Sequence, residues 1–184
     1  MTYTQSYDSP LGKLLLAADD SGLTGLWFNG EKYYVQHLGQ PHKEKDTPIL
    51  QQTKHWLDVY FSGQEPNFTV PFHVTGTAFQ HAVWAILCTI PYGKTTTYGN
   101  IAKQIASQRG LPCMSAQAVG GAVGRNEISI IIPCHRVIGA NGSLTGYAGG
   151  LDKKIRLLAL EKAISAETSC ASWYLQDICN RSLV

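Results

Sequence analysis

The chain of 184 residues lacks any Cys-x-x-Cys pair. Its five cysteines (Cys88, Cys113, Cys134, Cys170 and Cys179) are an odd number, which fits neither a disulfide framework nor a structural zinc site, so reduced thiols are expected. It also lacks an apolar run long enough to span a membrane and any low-complexity segment. The opening MTYTQSYDSP has no basic region followed by an apolar stretch, which excludes a signal peptide and predicts a cytoplasmic location. Charged residues make up 15% and hydrophobic ones 44%, with four Trp, the composition of an ordinary globular protein of one domain or two small ones.

The net charge of +2 conceals an asymmetry. Residues 1–77 hold 5 Lys/Arg against 8 Asp/Glu, a net of −3, whereas residues 78–161 hold 8 against 3, a net of +5. A basic segment joined to an acidic one is consistent with a polyanionic partner such as nucleic acid, or with uneven but solvated surface charge.

Residues 2–7, 11–18 and 22–28 are short apolar or alternating runs punctuated by Ser9-Pro10, Gly12, Ser21-Gly22 and Asn29-Gly30, which predicts an antiparallel meander. Thr47-Pro48 opens a helix over 49–61, with Leu50, Trp56, Leu57, Tyr60 and Phe61 on one face and Gly63 ending it. This first unit holds no constellation of catalytic residues. Its histidines His37, His42 and His55 stand in polar surroundings. PNFTVPFHVTG, bracketed by Pro66 and Pro71, reads as a linker. Thr77 then caps a helix over 78–88, with Phe79, Val83, Trp84 and Leu87 at helical spacing as core residues.

After the Pro91-Tyr92-Gly93 turn, 98–108 reads as a helix, and Ser115 caps another over 116–124; two short helices joined by a turn are the ingredients of a helix-turn-helix. The second, AQAVGGAVG, is too rich in glycine for helix stability to explain, since each interior Gly costs about 1 kcal/mol relative to Ala. Its small residues suit either tight helix packing or entry into a minor groove only about 6 Å wide. The apolar run Ile128–Ile132 predicts a buried strand-like segment that stops at Pro133.

Pro133-Cys134-His135-Arg136-Val137 sets a thiol beside an imidazole and a guanidinium. Neighbours of that kind lower a thiol pKa from about 8.5 and create a nucleophile. A free cysteine is also commonly just a small buried hydrophobe.

In combination, FQHAVW at Phe79, IPYG followed by TTY ending at Tyr98, AVGGA around Val119, Asn126, PCHRV at Pro133, TGYAGGL at Thr145 and Glu161 give the chain a marked likeness to a known family. It resembles the O6-alkylguanine-DNA alkyltransferases, or methylated-DNA–protein-cysteine methyltransferases, over nearly its whole length. PCHRV carries most of the specificity. The resemblance implies an α/β (α+β) fold: an N-terminal α/β domain over 1–75, and a winged helix-turn-helix-like DNA-binding and catalytic domain over 76–165. Residues 166–184 form an extension to which the resemblance assigns no role.

The resemblance implies direct reversal of DNA damage: a methyl or larger alkyl group passes irreversibly from O6-alkylguanine, with O4-alkylthymine a further candidate, to Cys134. The thioether has no good leaving group, so the protein is consumed. His135 is the implied base, acting through a water, and Glu161, 27 residues beyond the cysteine, orients it, which matches the nucleophile, base and orienter logic of acyl-transfer enzymes. Tyr98 would donate to the departing guanine, and Asn126 falls among the catalytic residues. Carbonyls of Cys134 and Val137, the backbone N–H of Ala148 and the ring of Tyr147 would bind the base. Because a damaged base is stacked, it must be flipped out. A minor-groove helix bearing Gln117, Ala118, Gly120 and Gly121 would do this in double-stranded DNA, with Arg125 and Arg136 as further DNA contacts.

The sequence departs from the family pattern at Gln117, where relatives usually carry an Arg inserted into the duplex. No cysteine precedes residue 88, so the zinc ligands of some relatives have no counterpart, and neither metal nor cofactor is expected. A monomer without membrane association is implied. Two other classes compete: a damage-binding module without chemistry, against which Cys134 argues, and a cysteine hydrolase. Against the hydrolase, adjacent residues in an extended segment point to opposite sides.

Overall fold

The computed structural model describes residues 1–31 and 42–164. His37, Cys170, Cys179 and the extension over 166–184 lie outside the described residues. The meander forms as expected: β1 (Thr2–Ser9), β2 (Gly12–Ala18) and β3 (Leu23–Phe28) pair antiparallel in sequence order. A short β4 (His42–Glu44), not expected from the sequence, adds to β1 in parallel and gives the order β3-β2-β1-β4. Its three residues are all exposed, so an apolar pattern could not reveal it.

Helix α1 (Pro48–Phe61) begins where Thr47 accepts from the Leu50 amide and Pro48 presets the first turn, and it ends before Gly63 at φ 82. Leu50, Leu57 and Tyr60 are fully buried, and α1 packs on β1, β2 and β3. Gly25 is required on β3 because a Cβ there would overlap the Trp27 ring.

The edge of β3 holds two segments that the sequence left unplaced. Leu23 exchanges backbone bonds with the expected linker (Leu23 N to Pro71 O, 2.8 Å; His73 N to Leu23 O, 3.0 Å), so PNFTVPFHVTG is docked, with Val70 buried. Leu26 exchanges them with the run before the cysteine (Leu26 N to Glu127 O, 2.9 Å; Ser129 N to Leu26 O, 2.8 Å). The Ile128–Ile132 run is buried as expected but is not a strand. After a single bridge between Leu26 and Ile128 it turns back on itself, Ile130 at φ 72 and Ile132 N bonded to Ile128 O at 3.1 Å. Apolarity reports burial, and here a side chain, Asn126, takes the backbone bonds that a partner strand would otherwise supply.

Helix α2 (Ala78–Cys88) starts in a full capping box, with Thr77 and Gln80 bonding each other's backbone amides. Helices α3 (Tyr98–Gln108) and α4 (Ala116–Val123) pack together and against α2. Between them and α5 (Leu151–Leu160), a 3-10 turn over Cys134–Arg136 leads into β6 (Val137–Ile138), which pairs in parallel with β5 (Thr96–Thr97). No described helix is long and apolar enough to cross a membrane.

Candidate active site

Asn126 shapes the turn that presents the thiol. Its Nδ2 donates to the carbonyls of Ile128 (3.1 Å) and Ile132 (2.9 Å) and to Cys134 Sγ (3.1 Å), while its Oδ1 accepts from the Ile128 amide at 3.0 Å. The side chain is buried, and the three acceptors around Nδ2 fix which end of the amide is nitrogen. Cys134 lines a cavity of about 230 Å³ whose other walls include Tyr98, Gly120, Gly146, Tyr147 and Ala148. Burial pushes the Cys134 thiol up to about 11, against the donor from Asn126 and the nearby Lys154 cation. The resting sulfur is therefore protonated at neutral pH. A neutral thiol of this kind is a nucleophile only when a base takes its proton.

The next residue carries an imidazole. His135 is fully buried, with Nε2 2.7 Å from Glu161 Oε1. A carboxylate only accepts, so Nε2 carries the hydrogen and the lone pair sits on Nδ1, a buried atom with no protein partner among the described residues. Burial lowers the His135 pKa against the pull of Glu161, which keeps the ring neutral and able to accept a proton. Burial would raise the Glu161 carboxyl, but His135 and Arg136 outweigh it and hold the group down at about 2.

Arg136, expected on the DNA surface, turns inward instead. Its Nε and Nη2 clamp Glu161 at 2.8 and 3.0 Å and its Nη1 bonds the Ile90 carbonyl at 2.6 Å, leaving the guanidinium committed to orienting the carboxylate. The Val137 carbonyl, expected for the base, already accepts from Lys154 Nζ at 2.6 Å and retains only its second lone pair for a ligand. Tyr98 lines the cavity with its hydroxyl donated to the Thr145 carbonyl at 3.1 Å. Tyr147 stands edge-on to the His135 ring, centroids 6.4 Å apart.

Helix α4 has two distinct faces. Val119, Ala122 and Val123 face the core, and Trp84 Nε1 bonds the Ala122 carbonyl at 2.9 Å. Gln117, Ala118, Gly121 and Arg125 face outward, and Gly120 lies under the Tyr98 ring. A Cβ at Gly121 would meet nothing within 4 Å, so internal packing does not explain that glycine. Lys94, Lys103 and Arg109 are also exposed, though Arg109 sits over the Phe79 ring and reaches the Ala78 carbonyl. Among the described residues no group of three or more His, Cys, Asp or Glu is placed to hold a metal, and His55 is stacked on Phe68.

Three residues of the site were not legible in the sequence. Tyr60 of α1 donates to Glu161 Oε1 at 2.7 Å. Glu31, after β3, is buried and accepts from the Ser129 hydroxyl at 3.0 Å, and burial pushes its carboxyl up to about 7. Lys154 is fully buried, with Nζ bonded to the carbonyls of Val137, Thr145 and Gly146, and burial brings it down to about 8. A helix-face Tyr, a loop Glu and one Lys in a basic helix carry no sequence signal that separates them from surface or core residues. The first unit, read as purely structural, contributes two of the three.

Two family models match. Residues 2–74 fit the 6-O-methylguanine DNA methyltransferase ribonuclease-like domain, and residues 78–163 fit the 6-O-methylguanine DNA methyltransferase DNA binding domain. The chain is 45% identical over 163 residues to the methylated-DNA–protein-cysteine methyltransferase of Mycobacterium leprae, covering 88% of this chain and 93% of that one. It is 42% identical over 161 residues to the protein of the same name from Haemophilus influenzae, covering 87% and 86%. Its structure is similar to that of Mycobacterium tuberculosis OGT in complex with DNA (TM-score 0.76, 43% identity, 88% and 93% covered). It is also similar to an O6-methylguanine DNA methyltransferase from Methanococcus jannaschii (TM-score 0.59, 26% identity, 90% and 98% covered). With both family models matched in order along one chain and identity above 40% over most of its length, the protein belongs to the 6-O-methylguanine DNA methyltransferase family.

Proposed function

We propose that this protein repairs alkylated DNA by taking the alkyl group of O6-alkylguanine onto Cys134 in a single turnover. The observation that carries this reading is that Cys134, which lines a cavity of about 230 Å³, has its sulfur 3.1 Å from the Asn126 amide and is followed in the chain by His135, which is buried and bonded to Glu161. In the reaction the thiol proton passes to His135 Nδ1, through a water, as the sulfur attacks the alkyl carbon. A carbon–sulfur bond forms, the bond from that carbon to guanine O6 breaks, and the electron pair stays with the guanine, whose negative charge the Tyr98 hydroxyl stabilises by donating a hydrogen bond until solvent protonates the released base. The new imidazolium is paired with Glu161, whose low pKa keeps it anionic throughout. Asn126 stabilises the developing thiolate, and Lys154 adds positive potential while holding the 145–146 carbonyls.

DNA is the partner in this reading, entered from the minor groove by the outward face of α4 with Gln117 at its leading turn. Exposed Lys94, Lys103 and Arg125 would neutralise phosphates, so affinity should fall with salt by about 0.9 log unit per contact per log unit of salt. The matched residues 2–74 and 78–163 support a division into an N-terminal domain and a DNA-binding catalytic domain. A monomer acting in the cytoplasm without a cofactor completes the proposal.

Mass spectrometry of the intact protein after mixing with a duplex oligonucleotide carrying O6-methylguanine tests it. One added methyl on the Cys134 peptide, absent from Cys134→Ser, is the expected result. Unchanged mass with tight binding would mean a damage sensor, and multiple turnover would mean a hydrolase.

A further inference from the structure

We infer that Tyr60, on α1 far from the chemical motif, is a positioning residue of the transfer site, whose hydroxyl holds Glu161 and through it keeps His135 in the neutral form that takes the thiol proton. The inference rests on the reading of Cys134, His135 and Glu161 given above.

Tyr60 is fully buried and its hydroxyl donates to Glu161 Oε1 at 2.7 Å, the same oxygen that accepts from His135 Nε2 at 2.7 Å. Tyr60 and His135 are themselves 3.4 Å apart, hydroxyl oxygen to Nε2. A tyrosine has one hydroxyl hydrogen, and here the carboxylate takes it. If Nε2 instead carried a lone pair, it would face both the carboxylate and the phenol oxygen with no hydrogen left between them. The hydroxyl therefore disfavours the tautomer whose Nδ1 is protonated and useless as a base.

The second effect is electrostatic. Oε1 shares its charge among His135, Tyr60 and Arg136 Nη2, while Oε2 accepts from Arg136 Nε and the Gly93 amide. Removing one donor to Oε1 concentrates charge on the remaining ones and favours the imidazolium before any alkyl group arrives. The other groups facing the pair are Lys154 from α5, Tyr147 from the loop before it and Tyr92 from the turn after α2, whose ring lies under Arg136. Burial and Glu161 raise the Tyr60 pKa well above its ordinary value, so it remains a donor wherever the protein is folded.

Ring and hydroxyl have separable tasks. The ring stacks on Trp56 (5.4 Å, 10°) and meets Phe61 and Tyr92 edge-on, contacts that phenylalanine would keep. Tyr7→Phe is the matched control, because that hydroxyl also bonds a carboxylate, Asp58 at 2.7 Å, but away from the site.

The test is the pH profile of single-turnover methyl transfer from duplex oligonucleotide in the full chain. Tyr60→Phe should move the acid limb upward by about half to one pH unit, slowing transfer by about three- to tenfold on the acid limb and by no more than about threefold at neutral pH. Tyr7→Phe should leave the profile in place, and Tyr60→Phe should have no further effect in a Glu161→Gln background. An unmoved acid limb, an equal loss in the Glu161→Gln background, or a uniform slowing matched by lost thermal stability would overturn the inference. Nitrogen NMR of the intact protein adds a check that needs no variant: His135 should be protonated at Nε2 and bare at Nδ1 at neutral pH, and the opposite tautomer would sink the idea. Methyl transfer to Cys134→Ser would instead overturn the underlying site assignment, whatever Tyr60 does.

Discussion

Nδ2 of Asn126 lies 3.1 Å from Sγ of Cys134, and the same nitrogen bonds the carbonyls of Ile128 and Ile132. One amide thus both folds the loop that delivers the thiol and supplies the donor that a thiolate would need. Asn126→Asp keeps the shape but offers oxygen to three acceptors. Transfer to a methylated oligonucleotide should fall by about 100-fold, since a hydrogen bond to a charged group is worth about 1.5–3 kcal/mol, and the melting temperature should drop as well. Near-normal transfer would show that Asn126 contributes only shape.

Lys154 should behave differently from a surface lysine. Its ammonium bonds the carbonyls of Val137, Thr145 and Gly146, and Lys154→Met would take that donor from the buried Val137 carbonyl, at about 1–3 kcal/mol, while Thr145 keeps the Tyr98 hydroxyl. It would also remove a cation that lowers the Cys134 pKa. Both melting temperature and transfer to the free modified base should decline, the latter because the loss lies in the thiol pocket and not in DNA contact. Full activity on the free base would contradict this.

Glu31 makes a prediction about pH with a definite sign. Burial raises its carboxyl from 4.5 to about 7, so the folded state favours the protonated form. Below pH 4.5 the group is neutral folded and unfolded and imposes no penalty. The penalty grows as pH rises and is complete above about 7, where it reaches at most about 3 kcal/mol. Glu31→Gln, always neutral and still able to accept from Ser129, should therefore raise the melting temperature more at pH 8 than at pH 5. The ionised carboxylate also raises the thiol pKa of Cys134, so the variant should react with a soluble thiol reagent faster at pH 8. Equal stabilisation at both pH values would refute the assignment.

Gln117 stands exposed in the first turn of α4, where relatives usually carry Arg. Gln is shorter, uncharged and unable to stack as a planar cation. Gln117→Arg should speed transfer from duplex DNA and do much less with the free modified base, which needs no flipping. Equal effects on the two substrates, or no gain on duplex, would remove Gln117 from the duplex-inserting position.

Much of the fold was legible because its determinants are local. Thr47-Pro48, Thr77 with Gln80, and Ser115 announce helix starts through hydrogen bonds that span three residues, and the short apolar runs of β2 and β3 report largely buried strands. The strand expected over Ile128–Ile132 did not form, since an apolar run says only that a segment is buried. The docking of the Pro66–Gly76 stretch on β3 was equally hidden: its bonds to Leu23 are backbone bonds, made by any residue type.

By itself the sequence determined the three-stranded meander and the four helices that start at Pro48, Ala78, Tyr98 and Ala116, the family through PCHRV and its companion motifs, and which residues stand at positions 134, 135 and 161. Only the tertiary structure decided which way Arg136 points, which carbonyl Lys154 occupies, and that Tyr60 and Glu31 of the first half enter the site. Those contacts join residues as far apart as 101 positions for Tyr60 and Glu161 and 98 for Glu31 and Ser129. Periodicity and capping act within a few residues. Where a charge finds its partner in the core depends on how the sheet, α1 and α5 close around it, and that follows from packing the whole chain at once.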